Sequence, residues 1–504
     1  MTRLDASPDP TRTRGPFTAG IRTAPGAVVD WRRGGVAMAV TFSLLQMLNE
    51  IGTMMAIPLY GSMGAILQLG PAETAWALLA TTLFGAATIP LLSKAGDLFG
   101  HRRLMMVSLV GITIGYVLSA IAQDFTILII GRALTGIMAG QALCIGIMGD
   151  RLIPGARKKA VAIIAAGQAV GVFFGFALGG VLLQLGGTFR EAFWAGAVLT
   201  LISAVAFLLW GSDSDALHRH RQNRAAGVTP RLDVGGVILL GVGLTALCLG
   251  ISQSTTWGAS SPQTLLTVVG GIVLLAVALL WESRSKSPLL PVREIFGRRL
   301  GPAYAVFLTL GICGMLFFNF TMGWAQTPPE VAGYGFGLSP LVAACLFLAM
   351  SAAGLIAARL ATRALRSVSP KLVLVAAALV MAGAFVWLAF GRDSLWALVA
   401  GIFVYGAAYT TLLTTAMSII ATEAAAGKGA GTASVYVAVA LAASSIGTAV
   451  YAAIVAAHTA QGAPIPDSSA YTTGYLTAAA ATVFALGAGI ALSRTITLRE
   501  VVTH

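Results

Sequence analysis

Long apolar runs separated by short polar stretches recur along the whole 504-residue chain. Fourteen can be bounded, at 34–59, 72–92, 104–122, 126–149, 160–184, 190–211, 233–253, 263–281, 301–323, 339–361, 371–390, 395–420, 429–456 and 474–493. Each has about the twenty residues that a helix needs to cross roughly 30 Å of hydrocarbon. The pattern therefore predicts an all-α polytopic membrane protein with fourteen transmembrane helices. Ahead of the first run, 1–33 is a Pro/Arg/Thr-rich tail without amphipathic period, expected to be a disordered extension. The first run is too long for the apolar core of a cleaved signal peptide, and it contains Glu50.

Composition agrees, with 57% hydrophobic and only 10% charged residues, where soluble chains carry about 25% charged. A net charge of +13 raises the question of nucleic acid, but the charge is spread through short loops and not gathered on one face, so no nucleic-acid partner is expected. Its placement orients the chain. With the N-terminus inside, the even connections and both tails should hold the Lys and Arg. They hold 29 of the 32, among them Lys94, Arg102, Arg103, Arg151, Lys159, Arg219, Arg284, Arg359, Arg363, Lys371 and Lys428. Arg190 and Arg392 fall on the other side, and Arg132 lies within a run. Fourteen spans with both termini cytoplasmic, in the cell's inner (plasma) membrane, is the topology this predicts.

The stretch from Ser93 to Leu104 carries the first chemical signal. One acid, Asp97, is followed by Gly100, Arg102 and Arg103 at a membrane face, between two helices that so short a loop forces to be antiparallel. An acid at a helix end can hold a neighbouring helix N-terminus and nearby Arg side chains in one of two states. A plain positive-inside loop is the simpler reading. In the run at 160–184, Gly167, Gly171, Gly175 and Gly179 recur every fourth residue, which bares one helix face for close packing.

These stretches resemble the major facilitator superfamily. Its loop between helices 2 and 3 reads Gly-x-Leu-Ala-Asp-Arg-x-Gly-Arg-Lys, and Asp97, Gly100, Arg102 and Arg103 fit it, with departures at Ser93, Ala95, Leu98 and His101. Its antiporters carry Gly-x-x-x-Gly-Pro-x-x-Gly-Gly in span 5; Gly171, Gly175, Gly179 and Gly180 fit, with Phe176 in place of the Pro. Fourteen spans resemble the 14-helix drug:proton antiporter branch, as does the loop running from Glu282 through Pro288 and Pro291. The resemblance implies a major facilitator fold: a six-helix bundle at 34–211, a basic loop at 212–232, two linker helices at 233–281, a cytoplasmic linker at 282–300, a second six-helix bundle at 301–493 and a tail at 494–504. It implies that Asp97, Gly100, Arg102 and Arg103 gate the cytoplasmic side.

Glu50 is the clearest acid inside a span. Left ionised in lipid it would cost about 3 kcal/mol or more, so it faces a cavity, pairs or takes a proton. Asn49 stands where the antiporters carry an acid upstream of Pro58, and Glu50 is turned from that direction by about 100°. Glu50 is read as the proton-coupling or cation-binding acid, the alternative being a structural partner for Gln46. Arg132, in a stretch resembling the superfamily's span-4 motif, keeps its charge and needs an acid or an anion; the resemblance makes it a helper of protonation at Glu50, and snorkelling to water is the alternative. Asn49, Gln46, Asn319, Phe318 and Gln326 are candidate cavity residues, with Phe317, Phe320 and Trp324 beside them. Tyr405 and Tyr409 read as core.

Cys144, Cys248, Cys313 and Cys345 lie in spans without CxxC spacing and read as buried thiols. His218 and His220 have no companion ligands, so no metal is expected. No phosphate loop appears, and no nucleophile–base constellation; neither cofactor nor enzymatic activity is expected. The predicted function is alternating-access export of amphipathic or cationic small molecules in exchange for protons, by a monomer. A proton symporter or facilitator of the same fold, a receptor built on that fold and an intramembrane enzyme remain as alternatives.

Overall fold

In the computed structural model of the chain, the residues described are 29–69, 71–137, 140–210, 214–215, 232–285, 292–297, 300–423, 429–460, 463 and 465–491. The tails expected to be cytoplasmic, most of 212–232 with its His218 and His220, and much of 282–300 lie outside them. The described residues are helical, with no strand among them. The helices are α1 (Val36–Met54), α2 (Pro71–Phe99), α3 (His101–Ala120), α4 in two pieces (Phe125–Thr135 and Gly140–Arg151), α5 (Pro154–Gln184), α6 (Phe189–Trp210), α7 (Val234–Ser252) and α8 (Pro262–Arg284). Beyond them run α9 (Gly301–Gln326), α10 (Pro340–Cys345 and Phe347–Ser367), α11 (Pro370–Gly391), α12 (Leu395–Glu423), α13 (Gly429–Ala457) and α14 (Ser468–Ala481 and Val483–Ala491).

Among the described residues, 13 helices are long and apolar enough to cross a membrane. The remaining expected span, 126–149, is found as two helical pieces on either side of Gly136, the first of them 11 residues long. Packing around the break is close. A side chain at Gly136 would run into the backbone of α2, 3.1 Å from the Gly85 nitrogen, and one at Gly115 would stand 2.6 Å from the Thr135 nitrogen. Asp124 caps the first piece by accepting from the Ile127 amide at 2.9 Å. Helix α1 ends at Met54 and passes through a 3-10 turn, Ile57–Leu59, because Pro58 has no N–H to continue the ladder. Helices α2 and α3 are joined by Gly100 alone, at φ +98°, a conformation that residues with a Cβ rarely adopt.

Packing divides the helices into α1–α6 and α9–α14. In the first set α1 lies on α5 and α3 on α6; in the second α9 lies on α13 and α10 on α12. The sets meet where α2 runs along α13, with the Ser445 hydroxyl donating to Thr82 Oγ1 at 2.9 Å. Helix α7 packs on both α2 and α13, through Leu244 and Cys248 against Leu79, Leu83, Ala86 and Ala449. Helix α8 rests mainly on α7 and turns a row of exposed apolar residues outward, among them Leu266, Ile272 and Leu280. Asp233 fastens the pair: it caps α7 by accepting from the Gly236 amide at 2.9 Å and accepts from Trp281 Nε1 of α8 at 3.0 Å.

Candidate functional site

The glycine row of α5 faces α1. A methyl at Gly171 would stand 2.6 Å from the Met47 carbonyl oxygen and 2.8 Å from Glu50 Cβ, one at Gly175 2.9 Å from the Ile51 carbonyl oxygen, and one at Gly179 2.7 Å from that of Met55. Gly167 meets Ser43, whose hydroxyl donates to the Ile163 carbonyl at 2.8 Å. Backbone contact this close needs residues without side chains. It also fixes which way Glu50 points. The part-buried carboxyl accepts from Gln168 Nε2 of α5 at 3.4 Å, and it lies within electrostatic reach of Tyr116 on α3 and of Tyr409 on α12. Glu50 thus stands between the two helix sets. Gln46, one turn earlier, is buried with its carboxamide near Gly140; Asn49 is part-buried and its carbonyl accepts from Thr53 Oγ1 at 3.0 Å.

Arg132 is 0% exposed. Its Nε donates to the Ala77 carbonyl at 3.0 Å, and its guanidinium lies 5.1 Å over the Phe193 ring. Thr81 and Thr135 both donate to the Arg132 carbonyl, at 2.9 and 2.6 Å, locking the last turn of the first α4 piece to α2. Among the described residues no ion pair joins Arg132 to Glu50. Tyr116 lies between them: its ring fills the space left by Gly52 on α1, and its hydroxyl is within reach of Arg132, Thr53 and Glu50.

Helix α9 supplies the opposite wall. Asn319 is buried and donates to the Met315 carbonyl of its own helix at 2.8 Å. Phe318 belongs to an aromatic cluster with Phe317 and Phe347, and Phe176 of α5 inserts into it, stacked on Phe347 at 4.8 Å and 5.8 Å from Phe318. Where the resemblance leads one to expect a Pro, a phenyl ring keys one helix set into the other. Beside it a side chain at Gly180 would lie 2.5 Å from the Leu341 nitrogen, so α5 and the start of α10 are in backbone contact. Gln326 ends α9 seven residues past Asn319, about 10 Å further along the helix, and is part-buried. Tyr405 is buried against Phe317 at 3.8 Å, while Tyr409 is only partly buried. Cys144, Cys248 and Cys313 are buried, but Cys345, at the division of α10, is exposed, which corrects its reading as a core thiol. No group of three or more His, Cys, Asp or Glu able to hold a metal occurs among the described residues.

At the face that carries Gly100, Asp97 is 49% exposed and pairs with His101 Nε2 at 3.5 Å. Arg102 donates to the Leu208 carbonyl of α6 at 2.8 Å, and Arg103 is exposed. Asp215, beyond α6, pairs with buried Arg151 at 3.0 Å, and its amide donates to Asp150 Oδ2. Two side chains here and opposite escaped the sequence reading. One is His101, 1% exposed. The other is Arg392, buried at the far face, its guanidinium 4.3 Å over Trp324 and its donors on Ala389, Ser468 and Thr472. Trp324 in turn stacks on Tyr334, which also meets Tyr471, so the segment after α9 is pinned to α9 and α14. Exposure is the signal that was lacking: a loop Arg and a loop His look the same in sequence whether buried or solvated.

Two packed sets of membrane-crossing helices, with an acid held between them, define a polytopic membrane protein of the kind that moves small molecules. Comparison with known proteins supplies the family. The model of the Major Facilitator Superfamily matches residues 42–452, and the chain belongs to that superfamily. It is 28% identical over 298 residues to a triacylglyceride transporter of Mycobacteroides abscessus, covering 56% of this chain and 54% of that protein. It is 26% identical over 310 residues to a puromycin resistance protein of Streptomyces alboniger, covering 60% and 58%. The match spans about half the length of the curated relatives. Among solved structures, a peptide transporter superposes with a TM-score of 0.61 at 18% identity, over 91% of this chain and 93% of that one. The human organic anion transporter MFSD10 does so with 0.58 at 16%, over 90% and 99%. At such identities the likeness concerns the fold.

Proposed function

We propose that the protein is a secondary transporter of the inner membrane that exports amphipathic or cationic small molecules in exchange for protons. The observation that carries this reading is the place of Glu50, an acid between the two helix sets with Gln168 on one side and Tyr409 on the other. A carboxyl there can take a proton from one side of the membrane and give it up to the other as the sets rock, α1–α6 against α9–α14. Arg132 acts on it through Tyr116. Asn49 and Gln46 on α1, with Phe318 and Asn319 on α9, line the substrate path, and Gln326 lies at its outer end. The Asp97 face is cytoplasmic, as are both termini, and Asp97 with Gly100, Arg102 and Arg103 latches that side when the other is open.

The test is accumulation in everted vesicles, the counterpart of efflux from cells, prepared from a host lacking its own exporters, across a panel of cationic dyes and antibiotics, with and without a pH gradient. Glu50→Gln is expected to abolish gradient-driven efflux at unchanged expression; undiminished efflux removes the acid from the mechanism. A second reading, movement of an uncharged lipid, is favoured by the aromatic wall of Phe317, Phe318 and Phe347 and by the relatives named triacylglyceride transporters. Transfer of a fluorescent acylglycerol between leaflets, with no dye efflux, would select it.

A further inference from the structure

His101 departs from the pattern that its neighbours follow, and the fold gives it an unusual seat. It opens α3, and its ring is nearly closed off from solvent in a slot made by two glycines. A side chain at Gly96 of α2 would lie 3.2 Å from its Cδ2, and one at Gly146 of α4 2.5 Å from its Nε2. One ring nitrogen hydrogen-bonds to another segment, and the other lies at ion-pair distance from a carboxylate. Nδ1 is 2.7 Å from the Ser214 hydroxyl beyond α6, and Nε2 is 3.5 Å from Asp97 Oδ1. The charged groups around it are Asp97 and Lys94 on α2, Arg102 and Arg103 on α3, Asp150 and Arg151 on α4, and Asp215 next to Ser214. Arg151 and Asp215 are paired with each other and Asp150 accepts from the Asp215 amide, while Asp97 is the carboxylate paired with the ring.

We propose that His101 is the proton-responsive positioning residue of the Asp97 latch. As imidazolium it donates from both nitrogens at once, tying Asp97 and the Ser214 segment into the α1–α6 set by charge-assisted bonds, which are about twice as strong as neutral ones. As neutral imidazole it has a single N–H and no charge, and Asp97 is released to engage the other helix set. The imidazole changes charge between pH 5 and 8, the range a cytoplasm visits. Acid on that side therefore holds the latch in the arrangement seen here, and alkali frees it. The inference rests on the alternating-access reading, but not on Glu50 being the coupling acid.

The test needs no substrate. Spin labels are placed at Ile153→Cys and Val368→Cys, two exposed positions of the Asp97 face on the two helix sets, in the full chain with its native cysteines replaced. Distances between them are measured in lipid nanodiscs from pH 5.5 to 8.5. A transition within the range where a histidine changes charge, pH 5 to 8, is expected. It should be lost in His101→Gln, and it should move to lower pH in Asp97→Asn, which removes the charge that favours the imidazolium. The half-exposed position of Asp97 lets that second variant answer should His101→Gln fail to fold. In Glu50→Gln the transition should remain. A transition absent from the otherwise unmodified chain, or unmoved in both latch variants, overturns the proposal. One that vanishes in Glu50→Gln overturns it in favour of Glu50, and leaves the coupling reading standing.

Discussion

Arg132 makes a strict demand on the fold, since a fixed charge is enclosed beside a carbonyl, an aromatic face and a phenol. Lysine keeps the charge but loses both the planar stack on Phe193 and the Nε donor to Ala77. Arg132→Lys should therefore cost about 2 kcal/mol, the scale of one charged hydrogen bond, read as a lower thermal unfolding midpoint in detergent. An unchanged midpoint would mean that the guanidinium plane is dispensable. The sequence announced this residue, and Glu50 too, because charges within apolar runs stand out. It did not announce that Tyr116 comes between them, because the contact depends on Gly52 lying opposite α3, a property of helix packing and not of spacing. His101 and Arg392 were illegible for the converse reason: each sits beside a polar loop, where burial leaves no periodic trace.

At the scale of elements, the glycine row of α5 lies against α1, a partner that residue spacing alone does not name. Because the contacts at Gly171 and Gly175 are with α1 backbone, neither can give way. Gly175→Val should destabilise the chain by about 1–3 kcal/mol through overpacking. Gly383→Ala, where nothing lies within 4 Å, should leave the midpoint unmoved in the same melting assay. The division of α4 was not legible, since hydropathy carries straight through Gly136. The α7–α8 pair invites a pH experiment. Burial alone would raise the Asp233 carboxyl, but hydrogen bonds from Gly236, Trp281 and Ser285 and the charge of Lys94 hold it below the usual carboxylate range. A depressed folded-state value gives stability that is present above the unfolded value, near pH 4, and lost as pH falls through the folded one. Asp233→Asn should accordingly lower the unfolding midpoint at pH 7, and its deficit should close in acid; a deficit independent of pH would trace to shape alone.

For the molecule as a whole, the alternation of apolar and basic segments was enough to give the helical class and the order of spans, because every backbone group in lipid must be satisfied within its own helix. How the sets meet was beyond it. They join along two flanks, α2 with α13, where Thr82 and Ser445 touch near mid-helix, and α5 with α10, where Phe176 and Phe347 stack. A disulfide formed by Thr82→Cys with Ser445→Cys should spare most turnover in a chain otherwise free of cysteine. One formed by Phe176→Cys with Phe347→Cys should arrest it until a reductant is added. Arrest by the first bridge would count against a pivot there. The reason to expect one is α7, which grips α2 and α13 together along a single side. If the sets do part, a body bound like that has a spine and a fore-edge: it would open as a book does, widest away from the binding, and a molecule dissolved in the bilayer would meet the pages at α5 and α10.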